Sequence, residues 1–211
     1  MNNPHQVTRD FEEAVRLYTG APFAVAVNSC TMALLLACRH VGVREAILPK
    51  RTYVSAPMSV IHAGGWVRFE DVEWRGAYRF RPYHIYDAAR RFTSGMFEAT
   101  APACGASRFV CVSFHASKIL GLEQGGAILH DSPRADAWLR RARFDGREEG
   151  VEPKNDDIRF LGWHCYMNPS TAAQGILKLH SLPAVNPDLP NDDYPDLSKM
   201  SVFKRMARNG D

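Results

Sequence analysis

Several routes to function are closed by what this sequence has little of. No stretch approaches the ~18–20 consecutive apolar residues of a membrane-spanning helix, so no membrane role is expected. The opening residues, MNNPHQVTRDFEE, have neither the basic segment nor the apolar core of a secretory leader, and a cytoplasmic location is expected. The five cysteines (30, 38, 104, 111 and 165) are odd in number and show no CxxC spacing. That pattern argues against a disulfide framework or a cysteine-based zinc site and predicts reduced thiols and no metal centre. GxGxxG turns, GxxxxGK phosphate loops and internal repeats are absent. Lysine is scarce, with 6 against 20 arginines.

What remains is an ordinary globular composition, 45% hydrophobic and 23% charged over 211 residues, enough for one sizeable core. Arg68, Arg75, Arg79, Arg81, Arg90 and Arg91 crowd one short region. Arginine suits bidentate contacts to phosphate or carboxylate, which keeps a polyanion such as nucleic acid in play. A solvated face, or a genome rich in arginine codons, explains the same bias.

Along the chain, apolar strand candidates alternate with helical patterns. RDFEEAVRLY reads as an amphipathic helix and FAVAVNS as a buried strand. CTMALLLACRHVG reads as a helix closed by Gly42. The pair repeats as EAILPKRTY and VSAPMSVIHAGG. WVRFEDV, YHIYD, RFVCVSFH and GGAILHD add strands, and PRADAWLRRARFDG adds a helix. This predicts an α/β domain with a mainly parallel sheet over residues 1–180, helices flanking it, and ligands beyond the carboxyl ends of its strands. Residues 181–211 read as a proline-rich extension draped over the surface, with a final short helix near SKMSVFKRMARNG.

Four features fall at strand ends in one chain order. NSCT (28–31) opens a helix whose free amides, with the Ser29 and Thr31 hydroxyls, suit a phosphate monoester. RTYVSA brings Tyr53, an aromatic able to cover a heteroaromatic ring. YDAAR brings Asp87, and SFHASK brings Lys118. Pyridoxal 5'-phosphate needs this set: a lysine for a Schiff base, an acid against the pyridine nitrogen, a phosphate cup and a stacking ring. Each member has a plainer reading. Lys118 is then an exposed lysine, Asp87 a helix cap and Tyr53 core packing. His115 reads as a satisfied interior histidine more readily than as a substrate-side group.

In family order, the stretches VNSCTMALLLA, LPKRTYVSA, YDAAR, SFHASKILGLEQGGAIL and GWHCYMNPSTAAQGILKL resemble the DegT/DnrJ/StrS sugar aminotransferases, fold type I pyridoxal-phosphate enzymes with an aspartate-aminotransferase-like large domain. The resemblance implies that Lys118 forms the Schiff base and shuttles the proton, and that Asp87 pairs with the pyridinium nitrogen. It implies that Tyr53 stacks on the ring, and that Cys30 (through its amide), Thr31 and Ser113 hold the phosphate. Arg90 replaces a Gln or His and is left to donate to the phenolic oxygen. Tyr166 falls where a neighbouring subunit usually offers a phosphate ligand, which implies a homodimer with its active site at or near the interface. The departures are Cys30 for a glycine, EQGG for GEGG, and length. Family members are nearly twice as long, so a strand and the small C-terminal domain are expected to be pared away and the site more open.

The expected activity is amino transfer between a small-molecule amine and a keto-sugar. An alternative is a decarboxylase or lyase acting on an amino-acyl-modified macromolecule, such as a modified base in phage DNA. A third reading is a non-catalytic relative with a binding role.

Overall fold

The computed structural model describes residues 5–100, 105–191 and 193–207, the last three without their side chains, and Cys104 lies outside the described residues. The helices begin and end where local chemistry asks them to. α1 (Gln6–Thr19) stops at Gly20, whose φ of 74° lets its N–H reach back to the Arg16 carbonyl. α2 (Cys30–Val41) is capped by Ser29, whose hydroxyl accepts from the Met32 amide, and ends at Gly42. α3 spans Ser55–His62. α4 (Pro133–Ala142) and α5 (Pro169–Ser181) each start on a proline behind a capping residue, Ser132 and Asn168. α6 (Ser201–Ala207) is the short final helix.

Seven strands lie between them: β1 (Phe23–Val27), β2 (Glu45–Pro49), β3 (Trp66–Glu70), β4 (Tyr78–Arg79), β5 (Ile85–Asp87), β6 (Phe109–Ser113) and β7 (Gly126–His130). A five-stranded sheet has the order β1-β7-β6-β5-β4, and β2 pairs with β3 beside it. An isolated antiparallel bridge, Ile47 to Arg81, joins the two.

The expectation of a mainly parallel sheet needs correcting at the level of pairing. Only β5–β6 and β2–β3 are parallel ladders, while β1–β7, β6–β7 and β4–β5 are antiparallel. The reason is β7, which inserts between β1 and β6 and runs against both. Direction is still shared by β1, β2, β3, β5 and β6, so their carboxyl ends reach one edge of the molecule. β4 was not anticipated.

Both faces of the sheet are covered, which is why its strands read as continuous apolar runs. Val25, Val27, Cys111 and Ile128 face the helices α2, α3 and α4 through Leu34, Leu36, Val60 and Leu139. Their neighbours Ala24, Ala26, Val110, Val112 and Leu129 face α1 and α5 through Phe11, Val15 and Ala172. Each large apolar side chain buried this way contributes about 1.5–3 kcal/mol. Residues 183–191 and 193–199 run back over the domain. Arg91 grips Asp188 with two hydrogen bonds of 2.8 and 2.6 Å, the Leu189 amide donates to the Arg90 carbonyl, and the Leu197 amide donates to the Lys50 carbonyl. Phe203 of α6 then packs edge-on against Phe69 of β3.

Among the described residues no helix is long and apolar enough to cross a membrane. Cys30, Cys38, Cys111 and Cys165 are free thiols.

Candidate active site

The carboxyl ends of β1, β2, β5 and β6 open on a cavity of about 460 Å³. From α2 it takes Cys30 and Thr31; from the turn into α3, Thr52, Tyr53 and Ser55; from the β5 and β6 ends, Asp87, Arg90, Ser113, His115 and Lys118. Seven of the eight residues expected from the sequence therefore line one cavity. The eighth, Tyr166, does not: its backbone bridges Val27 at the end of β1, and its ring packs among His5, Phe144 and His164.

Asp87 ends β5 at the cavity floor and is 5% exposed. No helix begins there. Its Oδ1 accepts from the Ala89 amide at 3.0 Å, and its Oδ2 from the Tyr78 hydroxyl at 2.8 Å. Burial pushes the carboxyl above the usual aspartate range, against the pull of those two donors and of the Lys118 and Arg90 charges. Burial, with the Asp87 charge beside it, also pushes the Tyr78 phenol and the Cys30 thiol well up, so both keep their protons.

At the α2 N-terminus Ser29 is engaged as the cap, while the Thr31 hydroxyl donates to Ser55 Oγ at 2.9 Å. A glycine is required opposite this turn. A Cβ on Gly126 would come within 2.5 Å of the Cys30 nitrogen and 2.7 Å of the Ser29 carbonyl carbon. β7 therefore lies hard against the backbone of the turn. His115 is not the interior histidine that was expected. It is exposed on the cavity wall, and its Nδ1 meets the Ser117 hydroxyl at 3.0 Å.

Three aromatic residues shape the mouth. Tyr53 is 59% exposed. Trp74 donates from its indole to the Arg51 carbonyl and stacks near Tyr194, at 6.3 Å between centroids. Arg90 donates to the Tyr194 hydroxyl at 3.0 and 2.9 Å and also bonds the Pro190 carbonyl. Tyr78, Trp74 and Tyr194 were missed in the sequence. Tyr78 alone left a trace, in the alternation of AYRF before the proline.

The profile of the DegT/DnrJ/EryC1/StrS aminotransferase family matches residues 3–99 and 81–188. The chain belongs to this family. The DegT/DnrJ/EryC1/StrS members are pyridoxal-phosphate-dependent aminotransferases. The fold is shared with the sugar aminotransferase CalS13 from Micromonospora echinospora, with 18% identity and a TM-score of 0.67 over 83% of this chain and 60% of that one. An aminotransferase from Brucella abortus gives 18% and 0.66 over 83% and 58%. Spr1654 from Streptococcus pneumoniae, solved in PLP and PMP forms, gives 20% and 0.64 in the PMP form, over 85% and 59%. The chain thus spans about three-fifths of the length of these relatives.

Proposed function

We propose that this chain binds pyridoxal 5'-phosphate and moves an amino group between a small-molecule amine and a keto-sugar. The observation that carries the reading is the meeting of Lys118, buried Asp87 and the α2 N-terminus in one cavity. The donor set fits the cofactor. Ser113 and the first amides of α2, that of Thr31 among them, offer donors to a phosphate, and Gly126 lets the strand behind them approach without a side chain. The Cys30 thiol, neutral and facing the same turn, adds no charge against an anion.

When bound, the cofactor supplies an electron sink for the carbon next to an amine nitrogen. The protein's share follows from its own groups. Lys118 would hold the cofactor through its amine at the aldehyde carbon, with loss of water, and would carry a proton between neighbouring carbons. Asp87 would hold a proton on the ring nitrogen by favouring the charged pair. Tyr53 would cover the ring. Arg90 is buried in the cavity wall with its guanidinium on Tyr194 and Pro190, and from there would donate to the phenolic oxygen. Residues 181–211 act as an extension of the 1–180 domain, with Tyr194 and Trp74 limiting water at the mouth. Tyr166 lies outside its own chain's cavity, which supports a two-fold homodimer in which it serves the neighbouring site.

The decarboxylase or lyase reading on modified nucleic acid has less to rest on. Arg68, Arg81 and Arg91 are matched to Glu45, Glu70 and Asp188, so much of the arginine cluster is internally paired.

The deciding experiment is an absorbance spectrum with added pyridoxal phosphate, for wild type and Lys118→Ala, followed by borohydride reduction and peptide mass analysis. A visible-edge band and a label on Lys118, both lost in the variant, are expected. Identical spectra and no label would sink the reading.

A further inference from the structure

Asp87 sits in a contest between burial and its donors, and one donor comes from a strand the sequence did not announce. Tyr78 lies directly opposite Asp87 in the β4–β5 ladder. Its side chain is 7% exposed, and its hydroxyl both accepts from Thr52 Oγ1 at 2.7 Å and donates to Asp87 Oδ2 at 2.8 Å. We propose that Tyr78, itself held by Thr52, is a positioning residue that keeps the Asp87 carboxylate ionised and aimed into the cavity.

Three observations carry this. Packing alone would be met by phenylalanine, whereas a buried hydroxyl is costly unless bonded, and this one is bonded twice. A hydroxyl that accepts a hydrogen bond is a stronger donor, so the Thr52 contact reinforces the bond to Asp87. The neighbouring indole does not compete, because the Trp74 N–H is engaged by the Arg51 carbonyl. The groups facing Asp87 electrostatically are Tyr78 from β4, Lys118 after β6, Arg90 after β5, Cys30 of α2 and Cys111 of β6. The two thiols are neutral. Lys118 and Arg90 pull on Asp87 as charges, and Tyr78 and the Ala89 amide bond the carboxylate directly.

The consequence for the cofactor rests on the pyridoxal-phosphate reading; the coupling of Tyr78 to Asp87 does not. Both are tested on the full chain. The Asp87 carboxyl is followed by carbon-13 NMR against pH without cofactor, assigned through Asp87→Asn, in wild type, Tyr78→Phe and Thr52→Val. Tyr78→Phe is expected to raise the Asp87 midpoint by about one pH unit, a tenfold change in its ionisation. Thr52→Val should give a smaller shift in the same direction. With pyridoxal phosphate, equilibrium dialysis should then show weaker binding to Tyr78→Phe by up to about tenfold. An unchanged midpoint in folded Tyr78→Phe overturns the proposal. Should that variant fail to fold, an unchanged midpoint in Thr52→Val overturns it instead. Wild type that takes up no cofactor overturns the functional reading alone, while the Asp87 titration still decides the proposal.

Discussion

At the scale of single residues, the cavity floor trades stability for chemistry. Asp87 titrates higher in the fold than in the open chain because burial outweighs its donors. Its protonated form therefore favours the fold. That contribution is full below the ordinary aspartate range and is lost as pH rises through the folded value. Asp87→Asn removes the penalty at neutral pH. Without cofactor it should melt at the wild-type temperature or a few degrees higher, while pyridoxal-phosphate affinity falls at least about tenfold. A melt several degrees lower, read by circular dichroism, would mean that the carboxylate is structural. Lys118, Asp87, Thr31 and Ser113 were legible because each follows a short apolar strand, and strand ends share an edge in such folds. Tyr78 was not legible. A tyrosine among apolar neighbours reads as core, and its hydroxyl partners lie 26 and 9 residues away.

Among the elements, α1, β1 and α4 are tied by buried charge more than their amphipathic patterns suggest. Glu12 of α1 accepts from the Ala26 amide and bonds Arg143 just past α4, which is fully buried and reaches on to Glu149 at 2.7 Å; Arg140 joins Glu12 from α4 at 2.6 Å. Removing Glu12 leaves the Arg143 charge fully buried with one carboxylate fewer, and Arg140 without its shorter ion pair. Glu12→Ala is thus expected to cost about 3–5 kcal/mol, a fall of roughly 2–4 °C per kcal/mol in a domain of this size. Thermal melts of Glu12→Ala and Glu12→Gln check it, and a shift below 2 °C, about 1 kcal/mol, would refute it. Helices and long strands were readable because caps, glycine stops and apolar periodicity agree. β4 escaped because two residues carry no period, and the register that makes them a strand comes from β5.

For the whole molecule, the open site expected of a shortened chain is narrowed by Tyr194, carried on the segments 183–191 and 193–199. Their place is set by contacts about a hundred positions distant in sequence: Asp188 on Arg91, and Tyr194 and Pro190 on Arg90. No local pattern encodes such partners, so a proline-rich run with no period yielded only a surface loop. Arg91→Ala should loosen this segment without unfolding the sheet. Hydrogen exchange read by mass spectrometry is expected to speed up at least about tenfold over residues 184–199 while β6 and β7 stay protected. Unchanged exchange there would show that the other contacts suffice.

The isolated bridge between Ile47 and Arg81 has a consequence of its own. There β2 meets the larger sheet through one pair of backbone bonds, while Ala46 and Leu48 of β2 and Ala56 and Val60 of α3 share a core with Val25, Leu34 and Phe80. The cavity spans this junction, with Thr52, Tyr53 and Ser55 on one side and Asp87, Ser113 and Lys118 on the other. Polar contacts already cross it, from Thr52 through Tyr78 to Asp87 and from Thr31 on α2 to Ser55. A ligand held from both sides is bound by the folded chain alone, so its binding free energy adds to the stability of the junction as well as of the site.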